Sequence, residues 1–340
     1  MIKEAIQTLV AGKSLTMDEA ATIMGEIMEG QATPSQLGAF LVALRMKGET
    51  VDEIAGFARK MRAKAIPVKV SGPVVDTCGT GGDSCFTFNI STTAAFVVAG
   101  AGLKVAKHGN RAASSQCGSA DVLESLGVRL DLTAEGVEQC LEEVGIGFMF
   151  APAFHPAMKF VGPTRREIGI RTIFNILGPL TNPAGARAQV LGAADSALLE
   201  KMAQVLKSLG CHHALVVHGE DGLDEITITG DSQVYELLDG RIVKYSISPE
   251  DFGLPRGNYG SLKGGTVAEN TKILRDVLIG IPGPRLDVVL INAAAALLAG
   301  DKASSIKEGI ELARKSIDSG RATAKLQELV TCSQKVAPKT

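Results

Sequence analysis

The pattern of apolar positions divides the chain into two parts. In residues 1–68, apolar side chains recur at helical spacing, as in Leu37, Leu41 and Leu44, which is typical of helices that bury one face. From Val74 onward, short apolar runs alternate with helical patterns, as expected for a mainly parallel sheet covered by helices. The pattern therefore predicts an α/β protein, with a small N-terminal helical bundle and a larger domain built on a mainly parallel mixed sheet flanked by helices.

Three helix starts in the N-terminal part carry capping signals. Thr16 and Thr50 are each followed three residues later by a glutamate, and Thr33 is followed by a proline; both arrangements favour a helix start. We therefore place a small helical domain at residues 1–68, with part of 160–185 packing near it, and a large domain at 73–340. One face of the bundle should contact either the larger domain or a second subunit.

The large domain carries further element signals. Apolar runs at 145–151 and 214–219 predict strands, and Asp239-Gly240 lies between two strand-like runs as a hairpin turn, so this part of the sheet should be antiparallel. The stretch 287–298 reads as a buried strand leading to a helix. An amphipathic helix is predicted over 303–319.

Composition limits the classes of function. The chain has 340 residues, 45% of them hydrophobic, a net charge of -2, 4% aromatic residues and no Trp. It can bury a sizeable core, and it lacks the basic surface and stacking rings of a general nucleic-acid binder. Its longest apolar runs fall short of the ~20 residues that cross a bilayer, and its N-terminus does not resemble a signal peptide. We expect a cytoplasmic protein that binds a small anion and contacts neither nucleic acid nor membrane.

The cysteines indicate neither a metal site nor a disulfide framework. The six of them include no C-x-x-C pair and no regular spacing, so we expect reduced thiols. Cys78 lies beside a glycine-rich turn, but no base is identified for it, and we interpret it as a small filler residue at a strand end.

The glycine-rich turn is Gly79-Thr80-Gly81-Gly82-Asp83. It follows a predicted strand at 73–75 and precedes a predicted helix at 91–99. Glycines allow close approach of main-chain N–H groups to a ligand, and helix N-termini attract anions, so the turn indicates a phosphate site. It matches neither the dinucleotide fingerprint nor the P-loop. For the glycines alone, a tight turn without a ligand remains an alternative.

A second turn, one strand and one helix later, is basic. Lys107 and Arg111 follow a predicted strand at 103–106 and precede a predicted helix at 114–123. Cations do not stabilise a helix N-terminus by themselves, but they would do so with an anion placed between them and the helix. For either residue alone, an ordinary solvated loop is the alternative.

Two more segments concentrate charge. Arg165, Arg166 and Arg171 fall within seven residues bracketed by prolines and glycines, which indicates either a positioned binding surface or a helix start with salt bridges to Glu167. The loop 220–225 holds four carboxylates. Such loops are usually solvated, but adjacent acids facing a phosphate site are also how proteins recruit magnesium.

Together these segments closely resemble the anthranilate phosphoribosyltransferases of tryptophan biosynthesis. The motifs that carry the resemblance are 79–83, 89–92, 107–111, 165–183 and 224–225, and the similarity extends over nearly the whole chain. It implies a homodimer formed through the helical domain. It also implies transfer of the phosphoribosyl group from 5-phosphoribosyl 1-pyrophosphate (PRPP) to the amine of anthranilate, with release of pyrophosphate, in the second step from chorismate to tryptophan.

The resemblance further implies site residues, position by position. Those corresponding to the PRPP cradle are Gly79, Gly82, Asp83, Thr87, Asn89, Ile90, Ser91, Thr92, Lys107, His108, Gly109, Asn110, Arg111, Ala112, Ala113, Ser114, Ser115 and Ser119. Those corresponding to Mg²⁺ ligands are Ser91, Asp224 and Glu225, and those corresponding to anthranilate contacts are Gly79, Asn110 and Arg165. Lys107 and His108 would assist the transfer, but no residue would act as a dedicated acid or base. The transfer should invert the configuration at C1 of the ribose.

One departure from the family pattern concerns the loop after the glycine turn. Many members carry glycine around positions 84 and 86, where this chain has Ser84 and Phe86, so the course of that loop over pyrophosphate is open.

Two other functions also remain open. Pyrimidine nucleoside phosphorylases share the fold by resemblance, but they carry a C-terminal region that we expect to be absent here. A non-catalytic anion-binding or nucleic-acid-binding relative would keep the fold alone.

Overall fold

The computed structural model describes residues 1–112 and 116–338, and its N-terminal part is the predicted helical bundle. The bundle helices are α1 (Ile2–Val10), α2 (Met17–Met28), α3 (Pro34–Lys47) and α4 (Val51–Lys64). The three predicted caps form. The side chains of Thr16, Thr33 and Thr50 each accept a hydrogen bond from the main-chain N–H three residues later, which satisfies a donor that has no partner inside the helix.

Within the described residues, the large domain is built on one sheet of seven strands. They are β1 (Val74–Gly79), β2 (Lys104–Gly109), β3 (Ile146–Phe150), β4 (Ala188–Gly192), β5 (His213–Gly219), β6 (Ser232–Leu238) and β7 (Arg241–Ile247), in the order β3-β2-β1-β4-β5-β6-β7. Strands β1 to β5 pair in parallel, whereas β6 and β7 are antiparallel. The predicted fold class is confirmed, including the hairpin at Asp239 and Gly240, whose φ angles of 48° and 75° suit the mirror-image turns of hairpins.

Helices cover the sheet and connect its strands. They are α5 (Ile90–Gly100), α6 (Ser119–Ser125), α7 (Ala134–Glu143), α8 (Ala151–Phe154), α9 (Gly162–Ile168), α10 (Phe174–Leu177), α11 (Leu199–Ser208), α12 (Val267–Leu278), α13 (Pro284–Ala299), α14 (Ile306–Asp318) and α15 (Arg321–Val336). In the described part of the chain, no helix is long and apolar enough to span a membrane.

The strand predicted at the start of 287–298 is wrong, because the whole stretch lies inside helix α13. Nearly every residue of this helix is buried, so no polar face reveals the helical period, and a continuous apolar run does not distinguish a buried helix from a buried strand. The side chain of Asn292 lies in the middle of α13. It accepts a hydrogen bond from Ile226 N at 3.0 Å and donates one to Ile226 O at 2.8 Å, and so ties the helix to the chain that follows residues 224–225.

The helix predicted over 114–123 begins later, at Ser119. Residues 113–115 lie outside the described part, and 116–118 are not helical. The carboxylate of Asp121 accepts hydrogen bonds from the main-chain N–H groups of Gly118 and Ala112, both at 2.9 Å. These bonds satisfy donors of the turn before the helix, and the carboxylate that accepts them belongs to the third residue of α6.

Two hydrophobic cores meet at the sheet. One joins α5, α13 and their neighbours to one face of the sheet, and the other joins the bundle to α11, to the segment around Val161–Leu180 and to residues of β4 and β5. Arg62 of α4 donates from Nε to the main-chain oxygen of Leu180 at 2.6 Å. The bundle therefore packs directly against the segment that contains the three clustered arginines.

A charged cluster lies at the beginning of β5, away from the glycine turn. The two ring nitrogens of His213 lie 3.1 Å from Asp301 Oδ1 and 2.9 Å from Glu236 Oε1. Burial alone would lower the pKa of His213, but the hydrogen bonds to Glu236 and Asp301 raise it. Both ring nitrogens can donate only in the protonated imidazole, so the geometry stabilises the charged form.

Candidate active site

The candidate site lies where the strand order of the sheet reverses. From β1 the chain continues to β2 and β3 on one side, whereas β4 and β5 lie on the other. The last residues of β1 and β4, Gly79 and Gly192, are paired, and Thr80 N donates to Gly192 O at 2.8 Å. In open α/β sheets a crevice forms outside the carboxyl ends of strands at such a point, and the glycine turn begins there.

The glycine turn adopts a conformation that requires glycine. Gly81 and Gly82 have φ angles of 69° and 70°, in the left-handed region that side chains with a Cβ avoid. Among the described residues, the N–H groups of Gly82 and Asp83 donate no hydrogen bond to the protein. Two adjacent main-chain donors are thus free for a ligand, which supports the phosphate-site interpretation.

The two positions where glycine was expected, Ser84 and Phe86, also have positive φ angles, of 59° and 52°. Such a conformation costs a non-glycine residue about 1–2 kcal/mol. Neighbouring contacts hold it: Cys85 N donates to Asp83 Oδ1 at 3.1 Å, and Gly264 N donates to Phe86 O at 2.9 Å. The loop therefore keeps a backbone suited to glycine, despite carrying larger side chains.

Asp224 packs against the ends of β1 and β4, and this close packing requires glycine at the last residue of each strand. Its Oδ2 accepts a hydrogen bond from Gly81 N at 2.7 Å. A Cβ on Gly79 would lie 2.1 Å from this Oδ2, and a Cβ on Gly192 would lie 1.6 Å from the main-chain oxygen of Asp224. Glycine at Gly79 leaves room for the carboxylate of Asp224, and glycine at Gly192 leaves room for its main chain.

Glu225 and Ser91 meet beside the N-terminus of α5. Ser91 N donates to Glu225 Oε1 at 3.2 Å, and Lys107 Nζ lies 3.4 Å from Ser91 Oγ. Burial raises the pKa of Glu225 to about 7, although Lys107 and Ser91 oppose the shift. Burial and the nearby carboxylates of Asp83 and Glu225 raise the pKa of Asp224 well above its usual value. A cation at this place would relieve the unfavourable charge of adjacent carboxylates.

The donor set fits magnesium bound together with a phosphorylated ligand. The described residues contain no group of three or more His, Cys, Asp or Glu side chains placed to hold a metal ion by themselves. The chain instead offers two carboxylates and one hydroxyl, from Asp224, Glu225 and Ser91. Mg²⁺ usually binds through one or two carboxylates and fills its shell with phosphate oxygens and water.

Lys107 is buried, with 3% of its surface exposed. Its amine donates to the main-chain oxygen of Thr77 at 2.6 Å, and burial lowers its pKa despite Asp76 and Glu225 nearby. The amine of Lys107 therefore lies on the buried side of Ser91 and Glu225. That Lys107 and Arg111 flank an anion stays a prediction.

The side chain of Arg111 is occupied by acidic residues of α6. Its two terminal nitrogens lie 2.7 and 2.9 Å from the Glu124 carboxylate, and Nη1 also lies 3.0 Å from Asp121 Oδ1. Nearby, Ser119 Oγ donates to Asn110 O at 3.2 Å. Arg111 therefore ties this turn to α6.

The remaining predicted cradle residues lie at the start of α5 and in the turns beside it. Ile90 and Thr92 are buried. The N–H of Ile90 donates to Phe88 O at 2.7 Å, whereas that of Thr92 has no acceptor among the described residues and is suited to an anion at the helix N-terminus. Asn89 donates from Nδ2 to Cys117 O at 3.1 Å, and Thr87 pairs with Lys263. The predicted residues Ala113, Ser114 and Ser115 lie outside the described part.

His108 and His155 form a buried pair, with ring centroids 5.1 Å apart. Burial lowers the pKa of His108 to about 3 and that of His155 to about 4, so both rings are neutral. The Nε2 atom of each is buried with no hydrogen-bond partner among the described residues. Such atoms are rare, and an ordered water or a polar ligand would satisfy them. His155 is not among the predicted site residues, and its only sequence signal is its place in a proline-rich segment near the arginines.

Arg165 and Arg171 lie on the side of the cleft that faces the bundle. Arg165, half-buried on α9, lies over the ring of Phe174 at 5.5 Å and forms no ion pair with a described residue. Arg171 donates from Nη1 to Gly82 O and from Nη2 to Gly81 O, both at 2.9 Å. The salt bridges to Glu167 that the sequence left possible do not form within the described chain. The sequence named Arg171 only as part of the arginine cluster, and its contacts join residues 89 and 90 positions apart, which no local signal reveals.

Comparison with known proteins decides the family. The model of the glycosyl transferase family helical bundle domain matches residues 3–65, and that of the family's a/b domain matches residues 71–323. An anthranilate phosphoribosyltransferase of Dehalococcoides mccartyi is 59% identical over 339 residues, which are 99% of each chain. The chain belongs to the anthranilate phosphoribosyltransferase family.

Solved structures of anthranilate phosphoribosyltransferases share the whole fold. The Thermus thermophilus enzyme superposes with a TM-score of 0.93 at 45% identity, covering 97% of this chain and 99% of its own. The Saccharomyces cerevisiae enzyme, solved in complex with PRPP and Mg, gives a TM-score of 0.91 at 28% identity, with 98% of each chain covered. The family assignment therefore rests on sequence and structure over nearly the full length.

Proposed function

We propose that this enzyme transfers the phosphoribosyl group of PRPP to the amine of anthranilate, with release of pyrophosphate, in tryptophan biosynthesis. The observation that carries the proposal is the meeting, at the strand-order reversal, of free main-chain donors at Gly82 and Asp83 with the carboxylates of Asp224 and Glu225. Curated enzymes with this activity are 59% identical over 99% of the chain.

The donor half of the site would bind the phosphates and the ribose of PRPP. The glycine turn, through Gly82 and Asp83, and the N-terminus of α5, through Thr92, would offer main-chain N–H groups to the charge that develops on the leaving pyrophosphate. The turn 107–112 would complete the cradle. Mg²⁺ held by Ser91, Asp224 and Glu225 would neutralise part of that charge, in line with the yeast relative solved with PRPP and Mg. Lys107 adds a fixed positive charge beneath Ser91.

The acceptor half would hold anthranilate with Arg165, Asn110 and Gly79. A free guanidinium makes two parallel charge-assisted hydrogen bonds to a carboxylate. The neutral rings of His108 and His155 supply polar atoms in a buried place. Because the aromatic amine is uncharged at neutral pH, it needs no dedicated base, and in-line placement carries much of the rate. Attack opposite the leaving group inverts C1.

The assembly is a further part of the proposal. We propose a homodimer formed through the helical domain of residues 1–68, in the cytoplasm, with residues 73–340 as the PRPP-binding domain. Two apolar side chains of the bundle, Val10 and Met46, are 73% and 83% exposed, and burying them against a second copy would remove apolar surface from water. Sedimentation of the intact protein tests the dimer.

The activity is tested by mixing the protein with anthranilate, PRPP and Mg²⁺ and following the loss of anthranilate fluorescence. We expect loss that depends on all three components. Parallel reactions with thymidine or uridine and inorganic phosphate test the phosphorylase alternative, and a DNA-binding titration over a range of salt tests the non-catalytic one. Phosphorolysis, or salt-sensitive DNA binding without transfer, would replace the proposal.

A further inference from the structure

Arg171 joins the segment after α9 to the glycine turn of the donor site. Its guanidinium donates to the main-chain oxygens of Gly81 and Gly82 through two hydrogen bonds of 2.9 Å. The approach is close, because a Cβ on Gly82 would lie 2.9 Å from Nη1. The planar fork of arginine matches two neighbouring acceptors, a match that the single ammonium of lysine does not reproduce.

These two contacts fix the direction of the free donors in the turn. A trans peptide is planar, so its C=O and its N–H point in opposite directions. The carbonyl of Gly81 shares a peptide with the N–H of Gly82, and the carbonyl of Gly82 shares one with the N–H of Asp83. By holding both carbonyls, Arg171 turns both N–H groups to the opposite side of the loop, where no described residue accepts from them.

Asp224 holds the preceding peptide. Its Oδ2 accepts from Gly81 N at 2.7 Å, so three successive peptides of the turn are held by side chains from distant parts of the chain. With φ angles of 69° and 70°, the two glycines have wide conformational freedom without such contacts. A loop that is already ordered loses less entropy when a ligand binds.

We propose that Arg171 is a positioning residue, which holds the glycine turn with the N–H groups of Gly82 and Asp83 aimed at the phosphates of PRPP. This assignment rests on the proposed function of the site. Arg171 belongs to the same segment as Arg165, so the contact also links the acceptor side of the cleft to the donor loop. Holding both carbonyls requires the two-pronged guanidinium group, and a positive charge without that geometry is not sufficient.

The test compares Arg171→Lys, Arg171→Gln and wild type, with Arg166→Lys and Arg166→Gln as matched controls. Arg166 is an exposed arginine on α9 that donates no hydrogen bond to the described part of the loop. The first measurement is amide hydrogen exchange of ligand-free protein in peptides covering 79–88, where Thr80, Gly81 and Cys85 N–H groups are hydrogen-bonded. Both Arg171 variants should exchange faster in these peptides only, and both Arg166 variants should match wild type.

The second measurement is steady-state kinetics. Both Arg171 variants should raise KM for PRPP roughly tenfold, as expected for losing a hydrogen bond from a charged group, with little change in KM for anthranilate. In a further variant, Arg171→Ala, added ethylguanidinium should partly restore the wild-type KM for PRPP. Wild-type KM in Arg171→Lys would show that charge alone matters, and a raised KM with unchanged exchange would show direct substrate contact; either result overturns the assignment. The exchange experiment stands even if wild type shows no turnover, which would refute only the proposed function.

Discussion

The substitution Gly79→Ala, at the end of β1, tests whether Asp224 packs against this glycine as the structure shows. The backbone at Gly79 is that of an ordinary strand, without a positive φ, so alanine is acceptable there except for its Cβ. That atom would lie 2.1 Å from Asp224 Oδ2 and 2.6 Å from Asp224 Cγ, whereas ordinary contacts begin at 3.4 Å. The carboxylate would therefore have to move by roughly 1.3 Å, the difference between the first and last of these distances.

The cost follows from this displacement. Forcing an extra methyl group into a packed place destabilises a protein by about 1–3 kcal/mol, and moving Asp224 breaks its 2.7 Å hydrogen bond from Gly81 N. A displacement of about 1 Å in a catalytic arrangement can lower the rate by about a hundredfold. We therefore expect Gly79→Ala to lower the free energy of unfolding by about 1–3 kcal/mol and kcat/KM by about a hundredfold.

A double-mutant cycle separates this clash from general damage. Urea unfolding is measured for Gly79→Ala, Asp224→Ala, the double variant and Gly260→Ala, a control whose Cβ would meet its nearest atom at 3.4 Å. Removing the carboxylate should relieve most of the clash, so alanine at position 79 should cost much less stability in the Asp224→Ala background. Equal costs in both backgrounds, or full activity of Gly79→Ala, would refute the steric reasoning.

Three further predictions concern the charged groups. Arg165→Ala should raise KM for anthranilate about ten- to a hundredfold, as loss of a charged hydrogen bond of roughly 1.5–3 kcal/mol implies, and leave PRPP binding nearly unchanged in calorimetry; equal damage to both substrates would misplace this residue. Asp224→Asn combined with Glu225→Gln should abolish the dependence of rate on Mg²⁺, and an unchanged magnesium profile would contradict the metal assignment. His213→Gln should lower Tm most below pH 6.5, because a raised folded-state pKa gives stabilisation that is complete below the unfolded value of about 6.5 and is lost as pH rises through the folded value. A Tm difference that grows with pH would contradict this sign.

The fold was predictable where local pattern and tertiary structure agree. The caps at Thr16, Thr33 and Thr50 act within one helical turn, and the hairpin at Asp239-Gly240 depends on two residues. Helix α13 was mispredicted at its start because its burial on all sides erases the polar face that would reveal its period. Local signals therefore reveal caps and tight turns, but they placed the start of α6 five residues too early, and they fail for a helix enclosed by the core.

The candidate site was predictable in its chemistry but not in its contacts. A glycine turn between strand and helix indicates an anion site by itself, whereas the contact between Asp224 and Gly81 joins residues 143 positions apart and depends on the order of the strands. The contacts of the two arginines are equally non-local. Arg111, for which an anion contact stays a prediction, pairs with Glu124, and Arg171, for which the sequence left a binding surface and a helix salt bridge open, holds the turn.

The central claim is that one site binds PRPP, magnesium and anthranilate and transfers the phosphoribosyl group between them. The most direct measurement follows anthranilate loss and pyrophosphate release in the same reaction while Mg²⁺ is varied. We predict that both proceed at equal rates, one pyrophosphate per anthranilate, and that both cease without Mg²⁺. Pyrophosphate release without loss of anthranilate, or no turnover at any concentration of Mg²⁺, would contradict the claim.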